Sequence, residues 1–210
     1  MIPTKICGIT NVSDAMAAVH HGTSAIGFIF YEQSPRGISI EKGNSISDQI
    51  YNKVARVGVF VNHPKEFIDK AIQTVPLDMV QLHGDESPEF CEQFSVPVMK
   101  AIRIKNKRSL NHLDEFNVHG FLLDTFTKDQ YGGTGKPFDW SLVNGNGRHS
   151  IILSGGLKAD NILDAILSVN PVAVDVNSGV ESSVGKKDHP KIEKLFEVLK
   201  ETEQTGFNFG

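Results

Sequence analysis

Short apolar runs, each closed by a turn and followed by a segment of mixed polarity, alternate along the whole chain. Eight of them read as strands: TKICGI from Thr4, SAIGFIF from Ser24, VARVGVFV from Val54, DMVQLH from Asp78, VPVMKAIR from Val96, VHGFLLD from Val118, SIILSG from Ser150 and VAVDV from Val172. They recur about every 24 residues, the spacing of one strand plus one crossover helix. Between them, residues 64–75 place Phe67, Ile68, Ala71, Ile72 and Val75 on one helical stripe, with Pro64 available for the first turn. Near the end, Ile192, Leu195, Phe196 and Leu199 recur at helical spacing, and Asp188 is placed to cap ahead of Pro190. The second unit is the weakest, because EKGNSISDQI carries a mid-helix glycine and little apolar stripe, and 138–145 leaves room only for a short helix.

Strands that are continuously apolar are buried on both faces, as in a parallel sheet covered by helices. Eight strand–helix units predict a single-domain α/β fold over residues 1–210, a closed (β/α)₈ TIM barrel of eight parallel strands. An open doubly wound sheet has the same periodicity. The polar residues favour the barrel: Cys7, His83, Arg103, Asp124, Ser154 and Asp175 fall at or just past the carboxyl ends of their strands, the face where barrel chemistry is assembled.

Composition narrows the chemistry. The 210 residues are 40% hydrophobic and 22% charged with a net charge of −4, and the densest basic run, RIKNKR at 103–108, is short and interrupted, so nucleic acid is not an expected partner. No stretch reaches 18 apolar residues and MIPTKICGIT has no signal-peptide pattern, so a soluble, cytoplasmic protein with no membrane partner is expected. Two cysteines, Cys7 and Cys91, then read as reduced thiols. Cys91, in PEFCEQF beside Phe90 and Phe94, belongs on a buried helix face. The glycine-rich stretch KDQYGGTGKPFDW is not a nucleotide loop, because Gln130 and Pro137 stand where a P-loop needs glycine and a magnesium-binding hydroxyl; a mobile flap is expected instead. No His, Cys or carboxylate set has metal-ligand spacing, so no metal is expected.

Seven motifs in register, KICGIT, GFIFYEQSPRGIS, VGVFVN, VQLHGDESPEFC, LLDTFTKDQYGGTGKPFDW, LSGGLKADNI and VDVNSGVESSVGKKDHPKI, resemble the phosphoribosylanthranilate isomerase family of tryptophan biosynthesis, over nearly all of residues 4–196. The resemblance implies a (β/α)₈ barrel that carries out the Amadori rearrangement of N-(5-phosphoribosyl)anthranilate to 1-(2-carboxyphenylamino)-1-deoxyribulose 5-phosphate, an aldose–ketose isomerisation without a cofactor. Two positions depart from the family pattern: Asn177 stands where serine is common and Val184 where proline is expected, both near the anticipated phosphate site.

That rearrangement needs an acid to protonate the ring oxygen as the C1–O bond breaks, and a base to remove the C2 proton from the resulting iminium. By resemblance Cys7, followed by Gly8 and expected to be accessible, is the base, and Asp124 is the acid. Arg36 is implied to grip the anthranilate carboxylate bidentately. Asp175 is expected on the ribose hydroxyls or the anilinic nitrogen. Gly155, Gly156, Ser178 and Gly179, after strands seven and eight, are expected to present backbone amides to the phosphate at helix starts. His83 and Arg103 are expected only to line the cavity. The partner is thus a small phosphorylated aminosugar, and a monomer is expected rather than a homodimer. Two alternatives stay open: a related phosphosugar isomerase of the histidine-pathway ProFAR type, whose base is an aspartate and whose substrate has two phosphates, and a non-catalytic phosphate-binding barrel.

Overall fold

The computed structural model describes residues 1–126, 137–143 and 148–210. Eight strands, β1 (Thr4–Cys7), β2 (Ala25–Ile29), β3 (Ala55–Phe60), β4 (Met79–Leu82), β5 (Val98–Ile104), β6 (Gly120–Thr125), β7 (Ile151–Leu153) and β8 (Ala173–Val176), close in sequence order into a barrel. The closing pair is parallel, with Lys5 opposite Asp175 and Ile6 opposite Val176. Closure removes the exposed sheet edges that an open sheet leaves.

Side chains alternate along each strand, so one set faces the helices and the other faces the barrel axis. Ile6, Ile26, Phe28, Phe60, Val80, Leu82, Leu153 and Val174 pack outward into the main core beneath the helices. Ala25, Val57, Met79, Met99, Leu122, Ile152 and Ala173 form a separate apolar cluster along the axis, closed by Phe209 from the chain's own tail. Moving toward the carboxyl ends, the axial positions turn polar: Lys5 and Cys7 follow on β1, Gln81 on β4, Asp124 on β6 and Asp175 on β8.

Among the described residues six α-helices cover the barrel: α1 (Val12–His20), α2 (Ile40–Ile50), α3 (Lys65–Thr74), α4 (Pro88–Cys91), α5 (Ile162–Val169) and α6 (His189–Leu199). The expected regular alternation fails after β5, where short 3₁₀ turns at Lys107–Leu110 and Leu113–Glu115 stand in place of a full helix; after β6, where only a short helix was expected over 138–145, the described residues hold a 3₁₀ turn at Trp140–Val143. Those turns still bury Leu110, Leu113 and Val143 against β5, β6 and β7. The second unit also departs from expectation. Its helix α2 runs 11 residues, capped by Ser39 accepting from the Lys42 amide, with Ile40, Ile46 and Ile50 inward. Gly43 is not a defect in it, because a Cβ there would lie 2.9 Å from the buried Phe30 ring. The stripe on α3 and the Asp188 cap on α6 form as the pattern predicts. Helix α4 is a single turn that ends at Cys91, so Phe94 lies beyond it, yet Cys91 is core as expected.

After β8 the chain forms a small antiparallel pair, β9 (Glu181–Ser183) and β10 (Lys186–Lys187), before α6. Sequence periodicity gave no sign of it, and it carries two charged side chains into the site.

Candidate active site

Cys7 ends β1 on the axial face. Its sulfur fills the space that Gly27 leaves on β2, where a Cβ would come within 2.7 Å of it. The thiol is 4% exposed, which corrects the expectation that Gly8 makes it accessible. Gly8 instead takes a φ of +70° and leaves room for Asn177 and Arg36, whose atoms lie 2.7 and 2.9 Å from where its Cβ would be. Burial pushes the Cys7 thiol above its ordinary value; Lys5 and Lys187 oppose that rise, and Asp175 adds to it.

One axial position below Cys7, the fully buried Lys5 donates to Asp175 Oδ1 at 2.5 Å. The other oxygen, Oδ2, accepts from Ser154 Oγ at 3.1 Å. Burial works against the Lys5 charge, but Asp175 and Cys7 more than offset it and hold the ammonium above its ordinary value. Asp175, expected on the substrate, thus has Lys5 and Ser154 as its partners here.

Asp124, the last but one residue of β6, stands on the same axial face, 6% exposed. Its Oδ1 accepts from the Thr125 amide at 2.8 Å, and its Oδ2 faces His83 Nε2 at 3.5 Å, too far for a hydrogen bond. His83 is fixed from behind by Gln81, whose Nε2 lies 2.9 Å from Nδ1. With the Gln81 amide donating, Nδ1 accepts and the imidazole proton sits on Nε2, aimed at Asp124. That buried Nε2 has no hydrogen-bond partner.

Arg36 is 6% exposed, and its fork is engaged by a residue the sequence reading missed: Nε and Nη2 donate to the two oxygens of Glu181 on β9 at 2.8 and 2.7 Å. Lys187 on β10 also donates to Glu181, at 3.1 Å, and to Asn177 Oδ1 at 2.9 Å. Burial raises the Glu181 carboxyl, but Arg36 and Lys187 carry it below its ordinary value; for Lys187 burial prevails and lowers it. A glutamate 145 residues from Arg36 is not legible as its partner until the hairpin after β8 is seen.

Gly156, Ser178 and Gly179 line a cleft of about 480 Å³ with Lys158, Ala159, Asp160, Lys191 and Lys194. Ser178 opens a 3₁₀ turn directly after β8. Gly179 permits the two loops to touch, since a Cβ there would sit 1.9 Å from the Leu157 carbonyl oxygen. Gly155 does not line the cleft; with φ of +88° it packs against Thr125, where a Cβ would meet Oγ1 at 2.5 Å. Nor do the β7 glycines sit at a helix start, because α5 begins only at Ile162. Neither Asn177 nor Val184 lines the cleft: the first partners Lys187 and the second is exposed in the β9–β10 turn.

Arg103, opposite Asp124 on the neighbouring strand, donates to Asp85 Oδ1 at 2.8 Å. The anticipated flap falls largely on residues 127–136, outside the described residues. No cluster of three or more metal-ligating side chains occurs among the described residues.

The arrangement combines a buried thiol among cations, a buried carboxyl group and a cleft lined in part by loop glycines. Comparison with known proteins places it. A family model for N-(5'-phosphoribosyl)anthranilate isomerase matches residues 4–198. The N-(5'-phosphoribosyl)anthranilate isomerase of Pelobacter propionicus is 44% identical over 203 residues, 96% of this chain and 97% of that protein. The crystal structure of the phosphoribosyl anthranilate isomerase of Thermotoga maritima superposes with a TM-score of 0.88 at 44% identity, covering 95% of this chain and 99% of that one. A structure of such an enzyme in complex with reduced 1-(o-carboxyphenylamino)-1-deoxyribulose 5-phosphate gives a TM-score of 0.85 at 41% identity, covering 95% and 99%. With a closed eight-stranded barrel and a match that spans nearly its whole length, the chain belongs to the N-(5'-phosphoribosyl)anthranilate isomerase family.

Proposed function

We propose that this chain performs the isomerisation of N-(5-phosphoribosyl)anthranilate in tryptophan biosynthesis by acid–base catalysis alone, with Cys7 as base and Asp124 as acid. The observation that carries this reading is that both residues stand at the carboxyl ends of barrel strands on the axial face, Cys7 last in β1 and Asp124 last but one in β6, while the cleft after β7 and β8 lies at the same end of the barrel. Thr125 occupies Asp124 Oδ1, which leaves Oδ2 to hold the transferable proton. That proton passes to the ribose ring oxygen as the C1–O bond breaks and an iminium forms. Cys7 then removes the C2 proton, the electron pair neutralises the iminium, and the enolamine becomes the ketone by gaining a proton at C1 and losing one from the C2 hydroxyl.

The productive form, with Asp124 protonated and Cys7 ionised, holds as many protons as the form with a carboxylate and a thiol. An unperturbed Asp titrates near ~4 and a Cys near ~8.5, so the second form dominates unless fixed charges favour the first. Lys5, Lys187 and Arg36 are the charges placed to do so, since each interacts with Cys7. Arg36 keeps its Nη1 side for the anthranilate carboxylate while Glu181 restrains the other edge. Gly156, Ser178 and Gly179 present backbone to the phosphate, with Lys158, Lys191 and Lys194 around it.

The same reading takes residues 1–210 as one barrel domain in a reducing cytoplasm, which keeps the Cys7 thiol free. It takes the chain as a monomer, because among the described residues the exposed large apolar side chains are dispersed: Val12 and Met16 share α1, while Met1, Tyr51, Phe126, Leu167 and Val184 stand on other segments. Turnover assays with N-(5-phosphoribosyl)anthranilate and with the ProFAR substrate test the assignment. Conversion of the first, with Asp124→Asn lowering kcat about 10²-fold or more, is the expected result. Preference for the second, or near-normal turnover by the variant, overturns it.

A further inference from the structure

We propose that Lys5 is a positioning residue that sustains Cys7 as the thiolate base, and that Asp175 regulates this by sharing the same ammonium. The inference rests on the reading of Cys7 as base and concerns how a buried thiol can serve as one.

The geometry comes from strand alternation. Lys5 and Cys7 are two residues apart on β1 and both face the axis, one layer above the other. The ammonium has no exposure to water and is paired to Asp175 Oδ1. One layer below the thiol on the same face of β1, its charge acts on the sulfur through the barrel interior. An unpaired lysine in this apolar shaft would be neutral or excluded, so a counter-charge is obligatory. Asp175 supplies it, and Ser154 fixes the rotamer of Asp175 by donating to Oδ2.

Asp175 opposes Cys7 ionisation while Lys5 favours it. The pair therefore acts as a set balance, not as simple activation: the carboxylate makes the cation affordable inside the barrel and limits its effect on the sulfur. The other charges facing Cys7 are Lys187 from β10 and Arg36 from the loop after β2, and both are themselves committed to Glu181 on β9. Lys5 differs from them in that its ammonium pairs with Asp175 and not with Glu181.

A purely structural ion pair and this balance make opposite predictions, because removing either member of a structural pair harms the protein in the same sense, whereas the balance tips in two directions. The test is a titration of thiolate ultraviolet absorbance in full-length protein carrying Cys91→Ala, referenced to the same protein with Cys7→Ala. Lys5→Met is expected to move the Cys7 midpoint up by about 1 unit or more, Asp175→Asn to move it down, and Lys5→Arg to leave it near the parent value. Lys5→Met should also reduce kcat by about 10-fold or more with KM changed less than about 3-fold, as expected when a reacting group is mis-charged and binding is intact. Should Lys5→Met fail to fold with Asp175 unpaired, Lys5→Met/Asp175→Asn removes both charges, and its midpoint should still rise. An unmoved midpoint in a folded Lys5 variant, or a rise in Asp175→Asn, overturns the proposal. The titration reads the thiol and not turnover, so normal turnover by Cys7→Ala would refute the base assignment while leaving this measurement of Lys5 independent of it.

Discussion

Arg36 sits where one side chain must serve two anions. Glu181 takes the Nε edge of its fork, and the substrate carboxylate is proposed for the other. Arg36→Met should therefore raise KM about 10-fold or more with a smaller fall in kcat, while Glu181→Gln, which frees the fork and leaves Lys187 with a weaker partner, should raise KM less. Steady-state kinetics of the two variants separate gripping from restraint; equal KM values for Arg36→Met and wild type would remove Arg36 from the substrate. At this scale the sequence was legible where chemistry is carried by a residue type at a strand end. Cys7 and Asp124 were named by joining their place at strand ends to the family resemblance, because a lone thiol or carboxylate there reads equally as core or turn. Lys5, Gln81, Glu181 and Lys187 did not stand out, because a lone polar residue inside an apolar strand, or a charge in a loop, declares its role only through a partner. For Lys5 that partner lies 170 residues away. His83 was named as lining, yet its fixation by Gln81 toward Asp124 needed coordinates.

The elements show how a local rule yields to packing. Replacing Gly43 by alanine should gain about 1 kcal/mol in helix propensity. The added methyl would, however, lie 2.9 Å from two atoms of the Phe30 ring, which is buried and cannot swing away. Overpacking costs about 1–3 kcal/mol, so Gly43→Ala should be neutral to destabilising by about 2 kcal/mol in urea unfolding, not stabilising. That is also why α2 looked weak from its pattern: the glycine accommodates the Phe30 ring, just after β2, which the helix's own residues do not reveal. Helix α3 and the cap of α6 were legible because their signals are internal to the segment. The 3₁₀ turns after β5 were not, since burial of Leu110 and Leu113 against the barrel suffices there, whereas the short element within 138–145 was. Gly179→Ala offers a functional counterpart. Its methyl would collide with the Leu157 carbonyl, a backbone atom, so the β7 and β8 loops must part. KM should rise about 10-fold or more, and inhibition by inorganic phosphate should weaken in parallel.

On the scale of the whole molecule, the tail and the catalytic face lie at opposite ends of one barrel. The tail crosses the amino ends of the strands: Thr205 donates to Val172, Asn208 accepts from His119, and Phe209 joins the axial cluster. Phe209→Ala should cost about 3–5 kcal/mol of stability while leaving kcat and KM unchanged at temperatures where the protein stays folded. Stability should also fall in acid. Asp14 and Glu181 are buried, which alone would raise them, yet hydrogen bonds and cations hold both below their ordinary values. A carboxyl depressed by folding stabilises fully above its unfolded value of about 4 and loses that contribution as pH falls through the folded value. Melting temperature should thus drop steeply below about pH 4, and less steeply in Glu181→Gln. The barrel itself was legible from the recurrence of eight apolar runs; its closure became evident only from the pairing of β8 with β1.

The assignment of Cys7 as the base is most directly tested by measuring Cys7→Ala turnover together with its affinity for reduced 1-(o-carboxyphenylamino)-1-deoxyribulose 5-phosphate. Cys7 donates little to substrate binding in this account, and its sulfur is needed only to take the C2 proton. The account predicts a fall in kcat of about 10²–10⁴-fold, the range for losing a general base, with the analogue's Kd within about 3-fold of wild type. Turnover within about 3-fold of wild type, or loss of analogue binding in step with turnover in a folded protein, would contradict it.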